Sequence, residues 1–72
     1  MTATETRDRR SGDLSRRELE VLRSVAKGLS NKDIGILLGI RETTVKVHLN
    51  NVYKKLGVNN RVRAALHIIN IT

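Results

Sequence analysis

From Leu14 onward the apolar residues recur at helical spacing, and glycine cuts the pattern at three places, Gly28, Gly39 and Gly57. Residues three and four apart share one face of a helix, whereas a strand needs strict alternation of apolar and polar residues. No useful length of this chain alternates, and proline is absent. The expected fold class is therefore all-α, with four helices at about 16–27, 31–38, 42–56 and 61–70. Gly28 and Gly57 are placed to close the first and third of them.

The start signals support those bounds. Ser15 followed by Glu18 forms a capping box, with Leu14 and Leu19 placed as a hydrophobic staple. The pattern repeats fifteen residues on, with Ser30 as cap, Asp33 in the carboxylate role, and Leu29 and Ile34 as the staple. A third version, around Ile40 and Val45, has Arg41 where Ser or Thr would cap, so that helix start is weaker by about 1 kcal/mol. Asn59 or Asn60 can cap the last helix.

A chain of 72 residues is one small domain. It buries only about 60% of the surface its unfolded form exposes, so partners matter to it. Without cysteine it has no disulfide or thiolate metal site to compensate for a small core. No apolar run approaches the roughly 18 residues of a membrane span, and residues 1–12 lack the hydrophobic stretch of a signal peptide, so a cytoplasmic location is expected. Residues 1–13 are polar and read as a flexible tail or linker, leaving 14–72 as the domain.

The net charge of +7 is unevenly spread. In the tail Arg7, Arg9 and Arg10 cancel against Glu5, Asp8 and Asp13. Between residues 41 and 63, Arg41, Lys46, Lys54, Lys55, Arg61 and Arg63 face Glu42 alone, so five of the seven net charges lie in a third of the chain. A basic domain of this kind suits nucleic acid, an anionic membrane surface or simple solubility. Tyr53 is the only aromatic residue, whereas binders of single strands and RNA loops stack bases on several rings. Duplex DNA is the better fit.

Only Gly39, Ile40 and Arg41 separate the second and third helices, which forces a sharp crossing. Small Gly35 admits close approach, Gly39 can adopt a left-handed conformation, and Val45 can plug the crossing. This is the spacing of a helix-turn-helix from Asn31 to Asn50. On the third helix Val45, Leu49, Val52 and Leu56 form a core stripe. Thr43, Val47, Asn50 and Lys54 lie opposite, flanked by Lys46 and Asn51. That face suits a major groove: Lys donates to guanine, Asn pairs bidentately with adenine, and Val47 can touch a thymine methyl. A plain solvated face also carries Lys and Asn, but it explains neither the turn spacing nor the concentration of charge.

These residues resemble the LuxR-type helix-turn-helix domain of bacterial response regulators and quorum-sensing regulators. The matching stretches are Leu14 to Leu22, Gly28 to Ile34, Thr44 to His48 and Lys55 to Val58, and Lys46-Val47-His48 is most similar to the nitrate-regulator branch. Gly35 and Arg41 stand where the family usually has Ala and Ser. The resemblance implies a four-helix LuxR-type domain that binds duplex DNA specifically and regulates transcription. It implies base-reading roles for Lys46, Val47 and Asn50, and phosphate contacts for Thr44, His48 and Lys54. Ser30, Asn31 and Lys32 begin the helix that abuts the DNA backbone, and Lys55 and Arg61 are further electrostatic candidates. It also allows a regulatory domain preceding this one.

No residue set has catalytic or metal-ligand spacing; His48 and His67 lack carboxylate and thiolate neighbours, so neither enzymatic activity nor a cofactor is expected. For His48 both a phosphate contact and a structural role stay open. The last helix has two apolar stripes. Val62, Ala65, Leu66 and Ile69 are assigned to the core, leaving Ala64, Ile68 and Ile71 for a weak two-fold dimer. Loose terminal packing or contact with another domain would also use that second stripe. The alternative class is a protein-interaction or membrane-surface module built on the Ile-rich last helix, and an architectural DNA binder is a further one.

Overall fold

The computed structural model describes residues 14–71, with side chains through Ile69. Its elements are α1 (Arg16–Ala26), α2 (Asn31–Leu38), α3 (Glu42–Leu56) and α4 (Arg61–Ile71), with no strand among the described residues. The polar tail at 1–13 lies outside them.

The capping chemistry sets the helix starts. Ser15 Oγ accepts from the Glu18 N–H at 3.0 Å, and the Glu18 carboxylate accepts from the Ser15 N–H at 3.0 Å, completing the box. Ser30 Oγ accepts from the Asp33 N–H at 3.1 Å. Asn60, rather than Asn59, caps α4: its Oδ1 accepts from the Arg63 N–H at 2.8 Å, while its own amide donates to Asn59. Arg41 occupies the cap position of α3 in extended conformation, and its side chain makes no capping bond.

The turn between α2 and α3 is the tightest place in the fold. Gly39 sits at φ 71°, ψ 34°, in the left-handed region where a side chain would be strained, and closes α2. The N–H groups of Gly39 and Ile40 both donate to the Gly35 carbonyl. This folds the turn back over Gly35, where an added Cβ would lie 2.7 Å from the Ile40 carbonyl oxygen. The obstacle is backbone, so a side chain at position 35 is limited by contact and not by dihedral angles.

The core has two parts. Val21, Val25, Ile34, Val45 and Leu49 pack where α1 and α2 meet α3. Leu22, Val52, Leu56, Ala64 and Ile68 pack where α1 and α3 meet α4. Tyr53 borders both, and Leu14 and Leu19 pack on the second as the staple requires. The stripe Val45, Leu49, Val52 and Leu56 is wholly buried, so α3 turns one face inward along its full length.

One assignment reverses. Ala64 and Ile68, read as a dimer surface, are 0% and 4% exposed in the domain's own core. Val62, Leu66 and Ile69, read as core, are 67%, 51% and 53% exposed. Small Ala64 lets α4 approach closely, and Ile68 then fills the space beside Leu22 and Leu56. Ala65 is half-buried beside the first cluster. The side chain of Ile71, the third member of the expected dimer stripe, lies outside the described residues.

Two substitutions at the turn test this account by urea and thermal unfolding. Arg41→Ser supplies the missing cap and is expected to add about 1 kcal/mol, which raises the melting midpoint by roughly 4–8 °C. Gly35→Ala is expected to fall short of the roughly 1 kcal/mol that helix propensity offers, because the Ile40 carbonyl must move. Gly35→Leu is expected to disrupt the crossing outright.

Candidate nucleic-acid interface

Burying one stripe of α3 leaves the opposite face to solvent. Thr43, Lys46, Val47, Asn50 and Lys54 are all exposed there, and Asn51 is half-buried at the edge. Val47, at 56% exposure, is a large apolar side chain held in water among polar neighbours. Thr44 and His48 are half-buried on the flank of the same helix. Ser30 and Lys32 are exposed and Asn31 half-buried where α2 begins. The N-terminus of α3 follows the tight turn and that of α2 lies at the far end of α2, and the orphan N–H groups of helix N-termini favour anions.

Two expected phosphate contacts have partners within the domain, Lys55 while still exposed and Arg61 half-buried. Lys55 Nζ donates to Glu18 Oε1 at 2.7 Å, tying the end of α3 to the start of α1. Arg61 donates from Nη1 to Asn31 Oδ1 at 2.6 Å and from Nη2 to the Leu29 carbonyl at 2.5 Å. Both cations serve intramolecular acceptors. These partners lie 37 and about 30 residues apart, and no local spacing could announce them.

Glu18 has a double duty as cap and ion-pair partner. Burial alone would raise its pKa, but hydrogen bonds from Lys55 and from the Ser15 N–H outweigh it. The positive charges of Lys55 and His48 add to the same effect, and the net shift is downward. His48 therefore lies close enough to the Glu18 carboxylate to act on it electrostatically. Among the described residues no group of His, Asp and Glu could hold a metal ion, and no helix is long and apolar enough to cross a membrane.

A four-helix domain with a three-residue turn, a left-handed Gly39 and a cationic, amide-bearing outer face matches one family model, described as bacterial regulatory proteins, luxR family, over residues 13–68. The chain belongs to the luxR family. Residues 13–68 are thus a domain of the kind found in bacterial regulatory proteins. Over 53 residues, 74% of the chain, it is 53% identical to the nitrate/nitrite response regulator protein NarP of Escherichia coli strain K12 and covers 25% of that protein. It is 46% identical over 57 residues to the transcriptional regulatory protein LnrK of Bacillus subtilis strain 168, covering 79% of the chain and 26% of the relative. A glycerol metabolism activator from Pseudomonas putida is 51% identical over 53 residues, 74% of the chain and 24% of the relative. The luxR-family chain thus spans about a quarter of the length of these relatives.

The Glu18 shift carries a pH prediction. A carboxylate whose folded pKa lies below its unfolded value stabilises the fold at higher pH and loses that contribution as pH falls through the folded pKa. The urea midpoint is therefore expected to drop below about pH 4.5, the ordinary value for Glu. Glu18→Gln, which keeps a capping acceptor but no charge, is expected to show a shallower drop over the same range. Equal acid sensitivity in the two proteins would contradict the Glu18–Lys55 coupling.

Proposed function

We propose that this domain docks α3 in the major groove of duplex DNA and reads a specific sequence with Lys46, Val47 and Asn50. The observation that carries this reading is the exposure of those three side chains away from the buried stripe of α3, with Val47 and Asn50 opposite it and Lys46 on the flank. Lys46 is suited to donate to guanine O6 and N7, Asn50 to pair with adenine, and Val47 to meet a thymine methyl. Thr44, His48 and Lys54 on α3, with Ser30, Asn31 and Lys32 on α2, are proposed to hold the phosphates and set the register. No membrane-surface role is needed to account for the charge.

The relatives extend well beyond the matched stretch, which is about a quarter of their length, and NarP carries the name response regulator. On that ground the domain is proposed to act as the output of a regulatory domain placed N-terminal to it, in the bacterial cytoplasm. A homodimer is proposed through the exposed face of α4 formed by Val62 and Leu66, with Ile69 beside them. That pairing would present two copies of α3 to half-sites about a helical turn apart.

Selection of bound duplexes from a random pool, followed by titration of the selected duplex over a salt series, tests the reading. Binding is expected to weaken steeply with salt. Lys46→Ala and Asn50→Ala are each expected to cost about 1–3 kcal/mol and to relax the preference at one base position, whereas Lys54→Ala should weaken all sequences alike. Equal affinity for every duplex would overturn specific recognition. Leu66→Lys is expected to abolish paired half-site binding while leaving single-site binding intact.

A further inference from the structure

Arg61 begins α4, yet its guanidinium reaches the other side of the domain's polar edge and grips the start of α2. It holds two acceptors, the Asn31 side-chain oxygen at 2.6 Å and the Leu29 carbonyl at 2.5 Å. These lie on either side of Ser30, the residue that caps α2. α2 itself packs chiefly against α3 and less against α1, so the guanidinium is a polar tie from α4 to the first turn of α2. Both Arg61 and Asn31 are half-buried, which strengthens the pairing relative to an exposed one.

The geometry has a chemical consequence at Asn31. A guanidinium is donor only, so it must face the amide oxygen. Nδ2, with its two N–H donors, is then the end of the amide that Arg61 does not engage. An amide that could otherwise present either end keeps its donor end for a ligand, the end that a phosphate oxygen requires. We infer that Arg61 is a positioning residue for DNA-backbone binding, which orients Asn31 and the capped N-terminus of α2 and ties both to α4. This rests on the duplex-binding reading above. It replaces a direct phosphate contact by Arg61 with an indirect one, and links the helix proposed to pair two copies with the helix start proposed to meet the backbone.

A double-mutant cycle on the selected duplex, with melting temperature recorded for each variant, tests it. Arg61→Lys keeps the charge but loses the fork, and is expected to weaken binding roughly tenfold, the scale of one charge-assisted hydrogen bond. Asn31→Ala is expected to do the same, and the double variant to be no weaker than Asn31→Ala alone. Asn31→Asp keeps an acceptor for Arg61 and so keeps the melting temperature, but it turns an anionic oxygen toward the phosphate and should lose more than tenfold in affinity. A merely structural pairing predicts unchanged binding by Asn31→Asp, and that result would overturn the inference. So would strictly additive losses in the cycle, or full binding by Arg61→Lys together with a salt slope reduced by about one phosphate in Arg61→Ala. If the wild-type chain shows no salt-dependent duplex binding, the duplex reading falls and takes this inference with it.

Discussion

The close approach of the Gly35 backbone to the Ile40 carbonyl is the constraint on which the rest of the domain depends. It allows three residues to turn the chain from α2 into α3, with two N–H groups converging on the Gly35 carbonyl. A looser turn would let α3 roll or slide. As it stands, Ile34 and Val45 meet at the crossing in one buried cluster with Val21, Val25 and Leu49. Once Val45 is seated, the helical period decides the rest: Leu49, Val52 and Leu56 follow it inward, and Lys46, Val47 and Asn50 face out. The proposed recognition face is thus the complement of a packing decision made at the turn.

Polar ties then hold the three supporting elements in place around α3. Glu18 joins the start of α1 to the end of α3 through Lys55, and Arg61 joins the start of α4 to the start of α2. Both carry charge that sequence inspection assigns to DNA. Part of the basic excess between residues 41 and 63 therefore ties the helices to one another. With ten buried hydrophobic residues among those described, such ties matter more than they would in a larger protein.

Much of the domain was legible beforehand because its signals are local. The Ser15 box, the Ser30 cap and the uncapped Arg41 all depend on residues within one turn, and their outcomes follow from short-range geometry. The α3 core stripe was legible because it is unbroken and unopposed: no second apolar stripe competes with it on that helix. The site face followed by elimination. The pairings of Lys55 and Arg61 were not legible, since charge composition reports how many cations exist and not which acceptor each will find.

Helix α4 marks the boundary between the two kinds of information. By itself the sequence determined that α4 is a helix, where it starts, and that it carries apolar residues on two faces, because periodicity and capping are properties of neighbouring residues. Only the tertiary structure decided which face turns inward. Ala64 and Ile68 are buried and Val62 and Leu66 exposed because the space beside Leu22, Val52 and Leu56 admits a small residue at close approach and a branched one a turn later. Shape complementarity between distant segments sets that choice, and hydrophobicity along one helix cannot express it.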